Sequence, residues 1–151
     1  MADFKFYPAF LAAVFDEKHS IKAGGDTLKA RLLTTALDPA DDTWSDVSAD
    51  EVATGGGYTS GGVSCSVLGV STTGGVLVIR IDSPAWTGSG GGFSFRSLVL
   101  MNDTAPSDEL IGGADFGRTV TITAGENTET LGYTAFNETD GLIVLGVNVI
   151  T

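Results

Sequence analysis

The chain has 151 residues, 19 acidic and 8 basic, for a net charge of −11 at neutral pH, and 42% of its residues are hydrophobic. That is one domain's worth of sequence with enough apolar content for a core, which excludes wholesale disorder. The charge argues against nucleic acid as a partner, because phosphates are held chiefly by Lys and Arg, and against anionic membrane surfaces for the same reason.

Gly is over-represented at 21 residues, so turns are frequent and helix propensity is low. Lys5, Lys18, Lys22, Lys29, Arg31, Arg80, Arg96 and Arg118 are scattered and form no basic patch in sequence. Cys65 is the one cysteine, which excludes an intrachain disulfide and a thiolate-rich metal site. The first fifteen residues lack a basic leader, and Asp3, Lys5, Asp16 and Glu17 break their apolar run. They read as neither a signal peptide nor a membrane span, and folding in a reducing cytoplasm is expected.

Phe4, Phe6, Tyr7, Phe10 and Phe15 crowd the first fifteen positions. Residues 8–19 are good helix formers, and Pro8 fits a first helical turn, where its missing N–H is not needed. Phe10, Leu11, Val14 and Phe15 have the spacing of one buried helical face. Gly24 and Gly25 then stop the segment. Leu28, Ala30 and Leu32 alternate with Lys29, Arg31 and Leu33, as in a strand buried on one side. Residues 39–50 form an acidic loop in which Trp44 and Val47 are spaced as a short helical turn anchored in the core.

Strand signals dominate the rest of the chain. Residues 63–67 alternate, and Thr73-Gly74-Gly75 predicts a hairpin turn into a strand over residues 76–81. Further strands are predicted over residues 93–101, 110–114, 119–123, 131–136 and 142–149. Many short strands with Gly, Asn, Asp or Pro between them predict a mainly β fold. The expected form is an antiparallel β-sandwich or barrel-like domain with a short N-terminal helix, residues 1–151 making a single domain. No linker, composition break or internal repeat divides it.

The residues offer little for catalysis. His19 is the sole histidine, and at the end of the predicted helix its bland role is to complement the helix dipole. Cys65 sits mid-strand, where a small filler is the simpler reading. The clusters at residues 55–57 and 88–92 lack the Lys-Ser/Thr of a phosphate loop and read as flexible loops or close backbone packing. Asp38, Asp41, Asp42 and Asp46 are the one candidate metal site, since Ca²⁺ takes six to eight oxygens, but their spacing is not that of an EF-hand. A solvated acidic loop is the competing reading. No cofactor is expected. Sequons at Asn102 and Asn137 read as chance in a cytoplasmic protein.

Several stretches, in order, resemble a family of small virion structural proteins of tailed bacteriophages. They are residues 26–34 (DTLKARLLT), 43–52 (TWSDVSADEV) and 57–63 (GYTSGGV), then Trp86 and residues 110–117 (LIGGADFG). The likeness covers nearly the whole chain, and the order of motifs is its specific part. It departs at residues 95–100, which keep Arg96 but lack the family's Tyr, and at residues 141–151, which are longer and more aliphatic.

What the resemblance implies is a head decoration (cement) protein, or else a small tail component. An acidic protein fits the outside of a DNA container better than the inside. The expectation is therefore a virion protein made in the host cytoplasm, bound to the outer surface of the major capsid protein lattice, self-associating with a trimer favoured, and not an enzyme. Phe4, Phe6, Tyr7 and Phe10 are the expected capsid or self-association contacts, since aromatic residues are enriched in interface cores. The competing reading packs them on the protein's own sheet. The alternatives in function are a tail, baseplate or receptor-binding subunit and a non-viral β-sandwich binding module.

Overall fold

The computed structural model describes residues 4–73, 76–133 and 143–146. Its elements are β1 (Lys5–Phe6), α1 (Pro8–Phe15), β2 (Leu28–Leu33), α2 (Trp44–Val47), a 3₁₀ turn (Ser48–Asp50), β3 (Val63–Cys65), β4 (Val67–Thr73), β5 (Val76–Ile81), β6 (Phe93–Asn102), β7 (Leu110–Ile122) and β8 (Ile143–Gly146). The fold is mainly β, as predicted, with antiparallel pairing throughout and a short N-terminal helix. One sheet runs β1-β7-β6-β2-β3 and a second runs β4-β5-β8; the two are not closed into a barrel.

Strand alternation places the core. Leu28, Ala30 and Leu32 of β2 share a face with Phe95, Leu98 and Leu100 of β6 and with Ile111, Val120 and Ile122 of β7. Val67, Ile79 and Ile81 of the second sheet cover that face together with Tyr58, Trp86 and Phe10. On the opposite face Leu33, Val99, Met101 and Leu110 meet Tyr7, Val47, Leu37 and Trp44. The five-stranded sheet is thus buried on both sides, which is why β6 reads as a nearly continuous buried run rather than an alternating one.

The single run predicted over residues 63–67 is two strands in different sheets. Val63–Cys65 pairs with β2, and Val67 onward pairs with β5. At the crossing, Asp82 N donates to Ser66 O at 2.9 Å and Ser66 N donates to Asp82 Oδ2 at 3.2 Å. The two runs predicted at 110–114 and 119–123 are instead one strand, β7. Ser97 faces Asp115 and Phe95 faces Val120, so residues 116–119 bulge out opposite Arg96 alone. Leu131 and Gly132 lie in a turn closed by Tyr133 N to Thr128 O at 2.8 Å, not at the start of a strand. β4 and β5 form the predicted hairpin; its turn at Gly74-Gly75, and the expected strand residues 134–136, 142 and 147–149, lie outside the described residues.

The glycine clusters prove to be backbone packing. Gly56 (φ 62) and Gly92 (φ 73) occupy the left-handed region, and a Cβ on Gly56 would collide with the Gly92 carbonyl. Ser89 N donates to Gly56 O at 2.8 Å, locking the two loops together.

Candidate functional site

The aromatic N-terminus is built into the sheet. β1 pairs with the edge of β7, Lys5 opposite Gly113 and Phe6 opposite Gly112, and Tyr7 N donates to Ile111 O at 3.1 Å. Phe4 packs edge-on against Phe6, and Phe6 stacks on Phe10 with ring centres 5.1 Å apart. Of the four expected contact residues, Tyr7 and Phe10 are buried, and Phe4 and Phe6 are partly buried against the core. Tyr7 and Phe10 therefore present no surface to a partner, and packing on the protein's own sheet describes them.

The predicted helical face is corrected in the same region. α1 ends at Phe15 rather than near residue 19, because Glu17 adopts the left-handed conformation (φ 59) and turns the chain back. Phe10 and Ala13 are the buried pair. Leu11, Val14 and Phe15 face outward at 43%, 38% and 87% exposure, although their spacing places them with Phe10. All eight residues of α1 are apolar, so periodicity cannot say which stripe meets the sheet. The outer stripe escapes sequence reasoning for that reason. The available signal is the lack of any charged residue on a helix that a single sheet can cover on one side only.

His19 consequently leaves the helix and does not serve its C-terminus. Asn102 is fully buried, with Oδ1 accepting from the backbone N–H of Thr104 (3.0 Å) and Ala105 (3.2 Å). Its amide must then donate, and it does so to Asp26 Oδ2 (2.6 Å) and to His19 Nδ1 (2.9 Å). His19 Nδ1 is an acceptor here, which fixes the neutral ring with its proton on Nε2. Burial holds its pKa below the ordinary imidazole value, outweighing the upward pull of Glu109 and Asp26. The same burial makes Asn102 inaccessible as a sequon; Asn137 lies outside the described residues.

Cys65 is also buried, and desolvation pushes its thiol up to about 12, so the nucleophilic thiolate is suppressed.

Two carboxylates of the acidic loop, Asp46 and Asp38, serve its own backbone. Asp46 Oδ2 accepts from Thr43 N (2.9 Å), Asp42 N (3.1 Å) and Thr43 Oγ1 (3.0 Å), forming the capping box of α2. Those bonds hold its carboxyl below the usual range. Asp38 Oδ1 accepts from Ala40 N at 2.9 Å. Asp41 is pushed up by partial burial and by the neighbouring charges of Asp38 and Asp46. Among the described residues no three His, Cys, Asp or Glu side chains come together in a group fit for a metal ion.

A single carboxylate outside the loop's dense part does more. Glu51 Oε1 accepts from Tyr58 Oη (2.9 Å) and Gly61 N (2.7 Å), while Oε2 accepts from Ser60 Oγ (3.1 Å) and faces Arg31 Nη1 at 3.5 Å. Arg31 in turn lies 4.0 Å from the centre of the Trp44 ring, a cation–π contact. Tyr58 Oη also accepts from Leu32 N at 3.2 Å. β3 pairs only with residues 28–30 of β2, and this network, with Val52 N bonded to Leu32 O at 2.9 Å, satisfies the rest of that edge.

A second ion pair marks the β7 bulge. Arg96 grips Asp115 through two parallel bonds of 3.0 and 3.1 Å, and Asp115 Oδ1 also accepts from Gly117 N at 2.8 Å. The Arg96 bond is the main reason the Asp115 carboxyl sits below its ordinary pKa.

No protein-family model, curated protein or solved structure matches the chain. No helix among the described residues is long and apolar enough to cross a membrane.

Proposed function

We propose that the protein is a head decoration protein of a tailed bacteriophage, seated on the outer surface of the major capsid protein lattice and stabilising the head by contact. The observation that carries this reading is where the motifs behind the resemblance go. Glu51 and Tyr58 come from two separate stretches of the pattern and bond to each other, while Asp115, from a later stretch, pairs with Arg96, the residue kept where the likeness otherwise departs. Residues from separate stretches of the resemblance that touch in the fold are what a shared architecture would bring together.

Charge and chemistry support the rest. A net charge of −11 favours the exterior of a particle filled with nucleic acid. The lone imidazole is hydrogen-bonded within the fold and the lone thiol is buried, which suits a protein that acts by contact. In this reading the protein is made in the host cytoplasm and self-associates, as a trimer, at local three-fold positions of the lattice.

The experiment is a virion reconstruction with copy counting. Density on the outer shell, with a copy number that scales with the capsomers, is the expected result. Density confined to the tail or baseplate would overturn it.

A further inference from the structure

The outer stripe of α1 is the part of the molecule that its own fold leaves unused. Eight consecutive apolar residues form this helix, and only Phe10 and Ala13 are buried. A helix that is apolar all round is ordinarily covered all round. Leu11, Val14 and Phe15 lie three and four positions apart and so form one stripe, with Phe15 87% exposed.

The surroundings of the stripe define what could cover it. Asp16 and Glu17, both exposed, come directly after Phe15; Asp16 also lines, with Asp42, Glu109 and Lys18, a groove of about 300 Å³ on the Phe10–Ala13 side of α1. A second copy docked stripe to stripe would set Asp16 and Glu17 against the same two carboxylates. Area points the same way. An eight-residue helix is about 12 Å long, and laid on an equally convex copy it falls short of the roughly 800 Å² per partner of a stable interface. A concave partner recovers area, because a helix set into a groove is covered on three sides.

We infer that the outer stripe of α1 docks into an apolar groove rimmed by Lys or Arg on the partner protein, with Phe15 as the anchor. This rests on the decoration reading, which makes that partner the major capsid protein. The test measures binding of the full chain to heads assembled from the major capsid protein without decoration. Wild type is compared with L11S/F15S and with D16K/E17K. All these positions are exposed, so melting curves should be unchanged.

The expected result is a loss of about tenfold or more for L11S/F15S. D16K/E17K should bind more slowly, with a flatter dependence of affinity on salt. Unchanged binding by L11S/F15S, with wild type still coating heads, overturns this inference and leaves the decoration reading standing. Wild type failing to bind heads overturns the decoration reading and this inference with it. If sedimentation shows that L11S/F15S abolishes self-association while head binding persists, the stripe belongs to a second copy and the inference is wrong.

Discussion

Two neighbouring regions treat their side chains in opposite ways. Where the segment from Trp44 to Gly61 meets β2, Arg31 and Glu51 are paired, Tyr58 bridges a carboxylate and a strand N–H, and the aromatic ring of Trp44 covers a guanidinium. In α1 the inner side is packed as tightly, yet Phe15 stands in solvent five residues from the buried Phe10. The first region is closed on itself and serves the fold. The second is closed on one side only, and its open side is apolar and exposed.

Removing Glu51 breaks the closed region hardest. Glu51→Ala would strand Arg31 and leave Tyr58 Oη and Gly61 N without their acceptor, the two charged side chains being only 12% and 11% exposed. A loss of about 3 kcal/mol in urea unfolding is expected, at the lower end for a broken buried pair because each side chain still touches water. Glu51→Gln, which keeps an acceptor but not the charge, should lose less. Equal losses for the two would show that the charge carries the whole effect, and an unchanged Glu51→Gln would show that the ion pair contributes nothing.

A smaller effect comes from His19, which links the chain after α1 to the end of β6. Its folded pKa is lowered, so the folded state prefers the neutral ring. Stability is therefore full above the ordinary imidazole pKa of about 6.5 and is lost as pH falls through that value toward the lower folded one. Protonation would also point an Nδ1–H at the Asn102 amide donor. The loss should stay below about 1 kcal/mol because the ring is only partly withdrawn from water. Comparing melting temperatures at about pH 7.5 and pH 5.5 with those of His19→Phe isolates it from the many carboxylates. Identical pH dependence in the two proteins would refute the linkage.

The smallest effect belongs to the open side. Phe15→Ser should change stability by no more than about 0.5 kcal/mol, since an exposed ring gives up little on removal. A loss of several kcal/mol would mean that Phe15 is packed within the fold, and the contrast between the regions would vanish.

Local rules account for much of what the sequence disclosed. Period-2 alternation set the face of β2, the Trp44–Val47 spacing set a helical turn, and the Gly74-Gly75 signal set the β4–β5 hairpin. These patterns depend only on neighbours, so the sequence by itself determined a mainly β, acidic domain with a short leading helix. Tertiary structure decided the rest. Residues 63–67 read as one strand because alternation is blind to which sheet a residue joins. β7 read as two strands because the bulge at residues 116–119 interrupts its pattern without ending its pairing.

The same limit applies to the candidate surfaces. The density of Asp38, Asp41, Asp42 and Asp46 is visible in sequence, but the use of Asp38 and Asp46 as backbone acceptors depends on a turn. Nothing local separates Glu51 from the acids before it; its partners lie on β2 and in the loop after it. In α1 every position is apolar, so only the placement of the helix against β7 could decide that Phe10 goes in and Phe15 stays out.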